Sequence, residues 1–176
     1  MSAVRLGVVL MSILACVPHA IAAEANCAVR AWVTDGDPHG LNVRHAPSAQ
    51  SAVLARLKPE PSGERVVLSV VEARAGWLKI GAAHAGSTQV FADEGWVASA
   101  LVATALKRDA TAAPKANSAT LRSEPALTGK TAGAVTAGEP LQLLGVQCGW
   151  VKVAKHGLSG WARSGQVCTA PAKECL

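Results

Sequence analysis

Acidic groups are scarce in this chain: 12 Asp and Glu among 176 residues, alongside no tyrosine and a single phenylalanine. Proton-transfer enzymes need acids and bases that converge, and the few acids here stand apart. Asp93 and Glu94, beside Gly95, read as a hairpin tip rather than a catalytic pair. Ser159 sits in GLSGW, which lacks the second glycine of the G-x-S-x-G nucleophile elbow. His39 and His45 are six residues apart, but Pro38 and Gly40 break the regularity between them, and no third ligand is spaced nearby. Asp35-x-Asp37-x-x-Gly40 opens like a calcium loop, yet its twelfth position is Ala46 rather than Glu. His84 and His156 stand alone in polar loops, and no C-x-x-C or zinc-spaced Cys/His cluster occurs. The reading is a protein without catalytic activity, cofactor or metal.

Aromatic residues do not interleave the Lys and Arg residues, so no stacking platform for nucleic acid is written into the chain. The positive charge is unevenly spread. From Glu24 to Leu106 there are seven Lys and Arg against eight Asp and Glu, whereas Lys107 to Leu176 carries nine against four. A basic second half favours anionic polymers, or simply keeps a small domain soluble.

Long apolar runs are absent too. The one candidate, LGVVLMSILACV, is interrupted by Pro18 and His19 before it reaches the roughly 20 residues that a membrane-crossing helix needs. With Arg5 before it and Ala20-Ile21-Ala22 after it, the segment 1–22 reads as a cleaved signal peptide, and the protein as exported, periplasmic or secreted. Ile13-Leu14-Ala15-Cys16 is the competing lipoprotein box, although Leu14 fits it poorly. Export allows thiols to pair. Cys27, Cys148, Cys168 and Cys175 then allow three connectivities. Cys148 with Cys168, in one repeat, is the first expectation, and Cys168 with Cys175 is an alternative; the sequence does not choose.

What the chain does contain is a duplication. LNVRHAP (Leu41 to Pro47) precedes GWLKI (Gly76 to Ile80), and ATLRSEP (Ala119 to Pro125) precedes GWVKV (Gly149 to Val153). A second Gly-Trp follows in each copy, at Trp96 and Trp161. Arg44 therefore pairs with Arg122, Pro47 with Pro125, Trp77 with Trp150 and Trp96 with Trp161. Leu41 to Leu57 aligns without a gap on Ala119 to Val135; beyond that the first copy is longer, chiefly through a hairpin insertion around 81–94. Turn signals every 8 to 12 residues, with short β-branched stretches between them, specify an all-β sandwich or barrel. The divisions are a first domain over 28–103, a linker over 104–117, a second domain over 118–169 and a tail over 170–176. Arg44 and Arg122 suit stacking on the rings or capping carbonyls. The glycines before the tryptophans suit turns that a Cβ would crowd.

At x-V-R-x-x-P, Gly-Trp and the terminal Gly-Trp the chain resembles the bacterial SH3-like (SH3b) domain family in both repeats. The resemblance implies two tandem small SH3-like β-barrels used for binding or targeting in the cell envelope, with a cell-wall polymer or an envelope protein as partner. Recognition of peptidoglycan or its peptides is the first functional expectation; regulation of an envelope enzyme or assembly is the second. Departures include Ala162 where the family favours Val, and Leu78 and Val151 where Tyr is frequent. The candidate binding residues are Asp35, Asp37, His45 and Trp77, together with Trp32, which has no counterpart in the second copy and so either packs at the domain interface or stands as an exposed anchor.

Overall fold

Alternation of apolar and polar residues in runs of four to nine, punctuated by Gly, Pro and Asp, commits the backbone to extended segments with one buried face. The computed structural model describes residues 27–59, 61, 63–108 and 117–168. Among them are thirteen strands, two single 3₁₀ turns at Ser99–Leu101 and Ser164–Gln166, and no α-helix. The first repeat is built from β2 (Leu41–Arg44), β3 (Val53–Leu57), β4 (Val66–Arg74), β5 (Trp77–Ala85) and β7 (Gly95–Ala98), preceded by β1 (Val29–Val33). The 81–94 insertion is an extension of β5 that folds back as β6 (Thr88–Phe91). The second repeat follows the same plan with β9 (Ser118–Arg122), β10 (Thr131–Thr136), β11 (Leu141–Gln147), β12 (Trp150–Lys155) and β13 (Leu158–Arg163).

Between the repeats runs β8 (Val102–Thr104), a strand with no sequence signal of its own. It closes the first repeat by pairing Val102 with Val33 and Ala103 with Trp32 of β1. Its other edge opens the second repeat, pairing Ala103 with Gln142 and Thr104 with Leu141 of β11. The chain then stays in register long enough for Leu106 to bridge Val167 and for Ala105 O to accept from Cys168 N at 2.9 Å. Thr104 of β8, Ala105 and the bridging Leu106, expected as the start of the linker, are thus all buried.

Because β8 serves both repeats, the strands form one continuous antiparallel order, β10-β9-β13-β12-β11-β8-β1-β4-β5-β7-β2-β3, with β6 on β5. The buried apolar residues are also contiguous, running from Leu41, Leu68, Leu78 and Ile80 to Leu121, Leu141, Leu143 and Val153. Two corrections follow. Trp32, a candidate contact residue, is only 2% exposed and packs with Ala103, Ala105 and Cys168 at the junction; it is an interface residue and not a surface anchor. Cys148 bonds to Cys27, with a Cα–Cα distance of 4.8 Å, and not to Cys168. The reason lies in placement: Cys148 sits on the exposed tip between β11 and β12 beside the start of the described chain, whereas Cys168 is wholly buried against Trp32. Cys168 is itself disulfide-bonded. The expected signal peptide over 1–22, the lipoprotein cysteine Cys16, residues 109–116 of the linker, and the tail with Cys175 also lie outside them.

Candidate functional site

The loop Asp35 to Gly40 folds on its own side chains. Asp35 Oδ1 accepts from Asp37 N at 3.0 Å, and Asp37 Oδ1 accepts from His39 N at 2.8 Å and lies 2.9 Å from His39 Nδ1. Those bonds to His39, backbone first, hold the Asp37 carboxyl below the usual carboxylate range. Gly40 N donates to Asp37 O at 2.9 Å and closes the turn into β2.

This loop forms one wall of a groove of about 440 Å³ whose lining includes Asp35, Asp37, Asn42, Arg44, Trp77 and Ala98. Alternation along β2 buries Leu41 and Val43 and leaves Asn42 and Arg44 half-buried on the opposite face. Arg44 Nη1 donates to Ser51 O at 2.7 Å, which anchors the loop after β2. Trp77 opens β5 directly across from Ala98 of β7, so both occupy one face of the sheet. The indole is half-buried. Asn42 Oδ1 is buried without a hydrogen-bond partner.

Of the expected binding residues, the structure brings Asp35, Asp37 and Trp77 together. His45 is exposed outside the groove lining, and Trp32 is buried elsewhere. Asn42 and Ala98 escaped the sequence reading, and Arg44 was read only as a scaffold residue. The signal that could have found Ala98 is the repeat itself, since Ala98 aligns with Arg163.

The second repeat copies the scaffold but not the groove. Arg122 Nη1 donates to Gly129 O at 2.8 Å, the counterpart of the Arg44 bond. Ser164 N donates to Gly149 O at 2.9 Å just as Ser99 N does to Gly76 O at 2.9 Å. Trp150 pairs across the strands with Arg163, whose guanidinium carbon lies 5.2 Å from the ring centroid. Trp150 is 7% exposed. Among the described residues a guanidinium also covers Trp96, from Arg74 at 5.7 Å, and Trp32, from Arg65 at 6.0 Å, but none covers Trp77. A further concavity of about 390 Å³ spans the repeats between Leu57, Arg65 and Pro140.

Among the described residues no group of three or more His, Cys, Asp and Glu could hold a metal ion, and no helix is long and apolar enough to cross a membrane. A search of curated proteins returns no match. Six chains of solved structure do match. NlpC2 from Trichomonas vaginalis is 12% identical with a TM-score of 0.31, over 80% of this chain and 48% of that one. NlpC1 from the same organism is 14% identical with a TM-score of 0.30, over 80% of this chain and 45% of that one. The chain thus spans about half the length of these structures. The bacterial SH3 domain family matches residues 117–167, the segment that runs from just before β9 to the Val167 that bridges Leu106; those residues form a bacterial SH3 domain.

Proposed function

We propose that the protein is a non-catalytic binding module of the bacterial cell envelope, with SH3-like barrels in both repeats, that recognises peptidoglycan or its peptides. The observation that carries this reading is the bacterial SH3 domain over 117–167, repeated in the first half down to matching hydrogen bonds at Arg44 and Arg122. The Cys27–Cys148 disulfide supports residence in an oxidising, exported compartment. The groove beside Trp77 supplies a concave, partly aromatic surface with a few convergent polar groups, the usual form of a small-ligand site. The shortage of converging acids and bases supports a role without catalysis. Co-sedimentation of the purified full chain with isolated peptidoglycan sacculi tests the proposal: the protein is expected in the pellet, and recovery wholly in the supernatant overturns it.

A protein partner is the second reading, favoured by one feature. Among the described residues β3 ends the sheet order and pairs only with β2, and it exposes Val53 and Leu54, 42% and 47% accessible. An exposed apolar edge strand is a template for strand addition by another chain. Crosslinking that captures a stoichiometric protein through β3, together with no binding to sacculi, would favour this reading.

A further inference from the structure

We infer that the groove of the first repeat holds the positively charged amino group of a peptide ligand against Trp77, in the place that Arg163 fills on Trp150 in the second repeat. The two repeats are an internal comparison. Trp77 and Trp150 are equivalent, and the residues directly across from them are Ala98 and Arg163. In the second repeat the protein supplies its own cation, 5.2 Å from the indole centroid. In the first, the methyl group of Ala98 leaves that space open as part of the groove of about 440 Å³. The same Gly-Trp hairpin carries both indoles, with Arg74, whose guanidinium lies over Trp96, flanking Trp77 where Gln147 flanks Trp150, so the vacant position is defined by the guanidinium seen on its twin.

The surroundings of the vacant position suit a cation. An indole face attracts an ammonium or guanidinium group through its quadrupole, most strongly when both are shielded from water. Asp35 and Asp37 line the same groove with carboxylates. Continued back from Leu41, the alignment places Ala113 and Lys115 opposite these two acids, so the acidic pair accompanies the open indole. Asn42 adds a buried Oδ1 that lacks a donor, and an ammonium brings three N–H donors. Arg44 also lines the groove, with Nη1 held by Ser51 O at 2.7 Å. The groove therefore offers an aromatic face, two carboxylates and an orphaned acceptor to one incoming group. A primary amine can meet the indole, both carboxylates and Asn42 Oδ1, whereas a carboxylate or phosphate finds only the Arg44 guanidinium, one arm of which Ser51 O already engages.

This inference rests on the proposed recognition of wall peptides and names the group recognised. The test uses the full chain with its disulfides intact and two probes, the tripeptide Lys-Ala-Ala and the same peptide acetylated on both amines, followed through the indole N–H signal of Trp77. The free amine is expected to shift that signal saturably, and acetylation to weaken binding about tenfold or more. Ala98→Arg should place an arginine on Trp77 and abolish the shift. Asp35→Asn with Asp37→Asn, at two positions outside the core, should weaken it in a chain whose circular dichroism is unchanged. Equal binding of the free and acetylated peptides, or no shift with either, overturns the inference. Sacculi treated in parallel separate the two claims. Pelleting with native and amine-acetylated sacculi alike would overturn the amine site and leave wall binding standing. Saturable binding of Lys-Ala-Ala without pelleting would support the site and remove the wall.

Discussion

At the scale of single residues, the repeated arginines show why a short motif survives duplication. Arg44 and Arg122 each hand an Nη1–H to the carbonyl seven residues ahead, Ser51 and Gly129, and so pin the loop that follows the first strand of the repeat. A charged donor to a half-buried carbonyl contributes about 1.5 to 3 kcal/mol. Arg44→Ala and Arg122→Ala are each expected to lower unfolding free energy by about that much in urea titrations, with Lys recovering only part of it because it lacks the planar fork. Asp37 provides a pH prediction. Its folded-state pKa is lowered by His39, so whatever its ionised form contributes is present above the ordinary carboxylate range and is lost as pH falls through the lowered value. Binding of an amine in the groove is therefore expected to hold from neutrality down through the ordinary carboxylate range and to fall only below it, and Asp37→Asn should weaken that acid limb. That Asp35, Asp37 and Trp77 share one groove was legible, because a polar loop beside a Gly-Trp strand is a recognisable pattern. For Trp32 the sequence left packing and exposure both open, since burial of a lone indole depends on β8, a partner strand that the sequence does not announce.

At the scale of elements, the two Gly-Trp pairs of each repeat look alike in sequence but use glycine differently. Gly76 and Gly149 sit in hairpin turns at φ values of 85° and 80° with open space around them. Gly95 and Gly160 are instead sites of close approach: an added Cβ would come within 2.3 Å of Val43 and 2.8 Å of Leu121, equivalent residues of β2 and β9. Alanine at the turn positions meets only backbone strain of about 1 kcal/mol, whereas Gly95→Ala or Gly160→Ala must push the first strand of the repeat off the last. The second pair is expected to cost about 2 kcal/mol or more in thermal or urea unfolding, and the first pair about half as much. The strands themselves were legible from their period. β2, β3 and β7 have the expected ends. Arg74 of β4 pairs with Trp77 at the tight turn, while β5 runs on to Ala85 because the insertion extends it before folding back as β6. β8 was hidden because Val102, Ala103 and Thr104 are all buried, which erases the alternation that marks a strand with one wet face.

At the scale of the whole molecule, the question is whether two repeats make two folding units. A duplicated sequence joined by a polar stretch suggests beads on a string, but the junction argues otherwise on three counts. β8 carries hydrogen bonds to β1 on one edge and β11 on the other; Trp32 is buried among residues on both sides of the repeat boundary; and Cys27–Cys148 ties the start of the first repeat to a hairpin of the second across 121 residues. Closing a loop of that length restricts the unfolded chain by about 4 to 5 kcal/mol on the chain-entropy account. Cys27→Ser with Cys148→Ser should therefore destabilise both repeats together, and Trp32→Ala should cost about 3 to 5 kcal/mol although it removes nothing from the groove. The decisive measurement is cooperativity. Hydrogen exchange on the full chain should show β4 and β12, one from each repeat, opening with the same free energy, because neither repeat keeps its edge strand when the other unfolds. A chain begun at Lys107 would leave β11 without the partner that β8 supplies, and is expected to be far less stable than the same residues in the whole protein. If it instead melts as sharply and as high as the second half does in the full chain, β8 is a spacer and the repeats are independent.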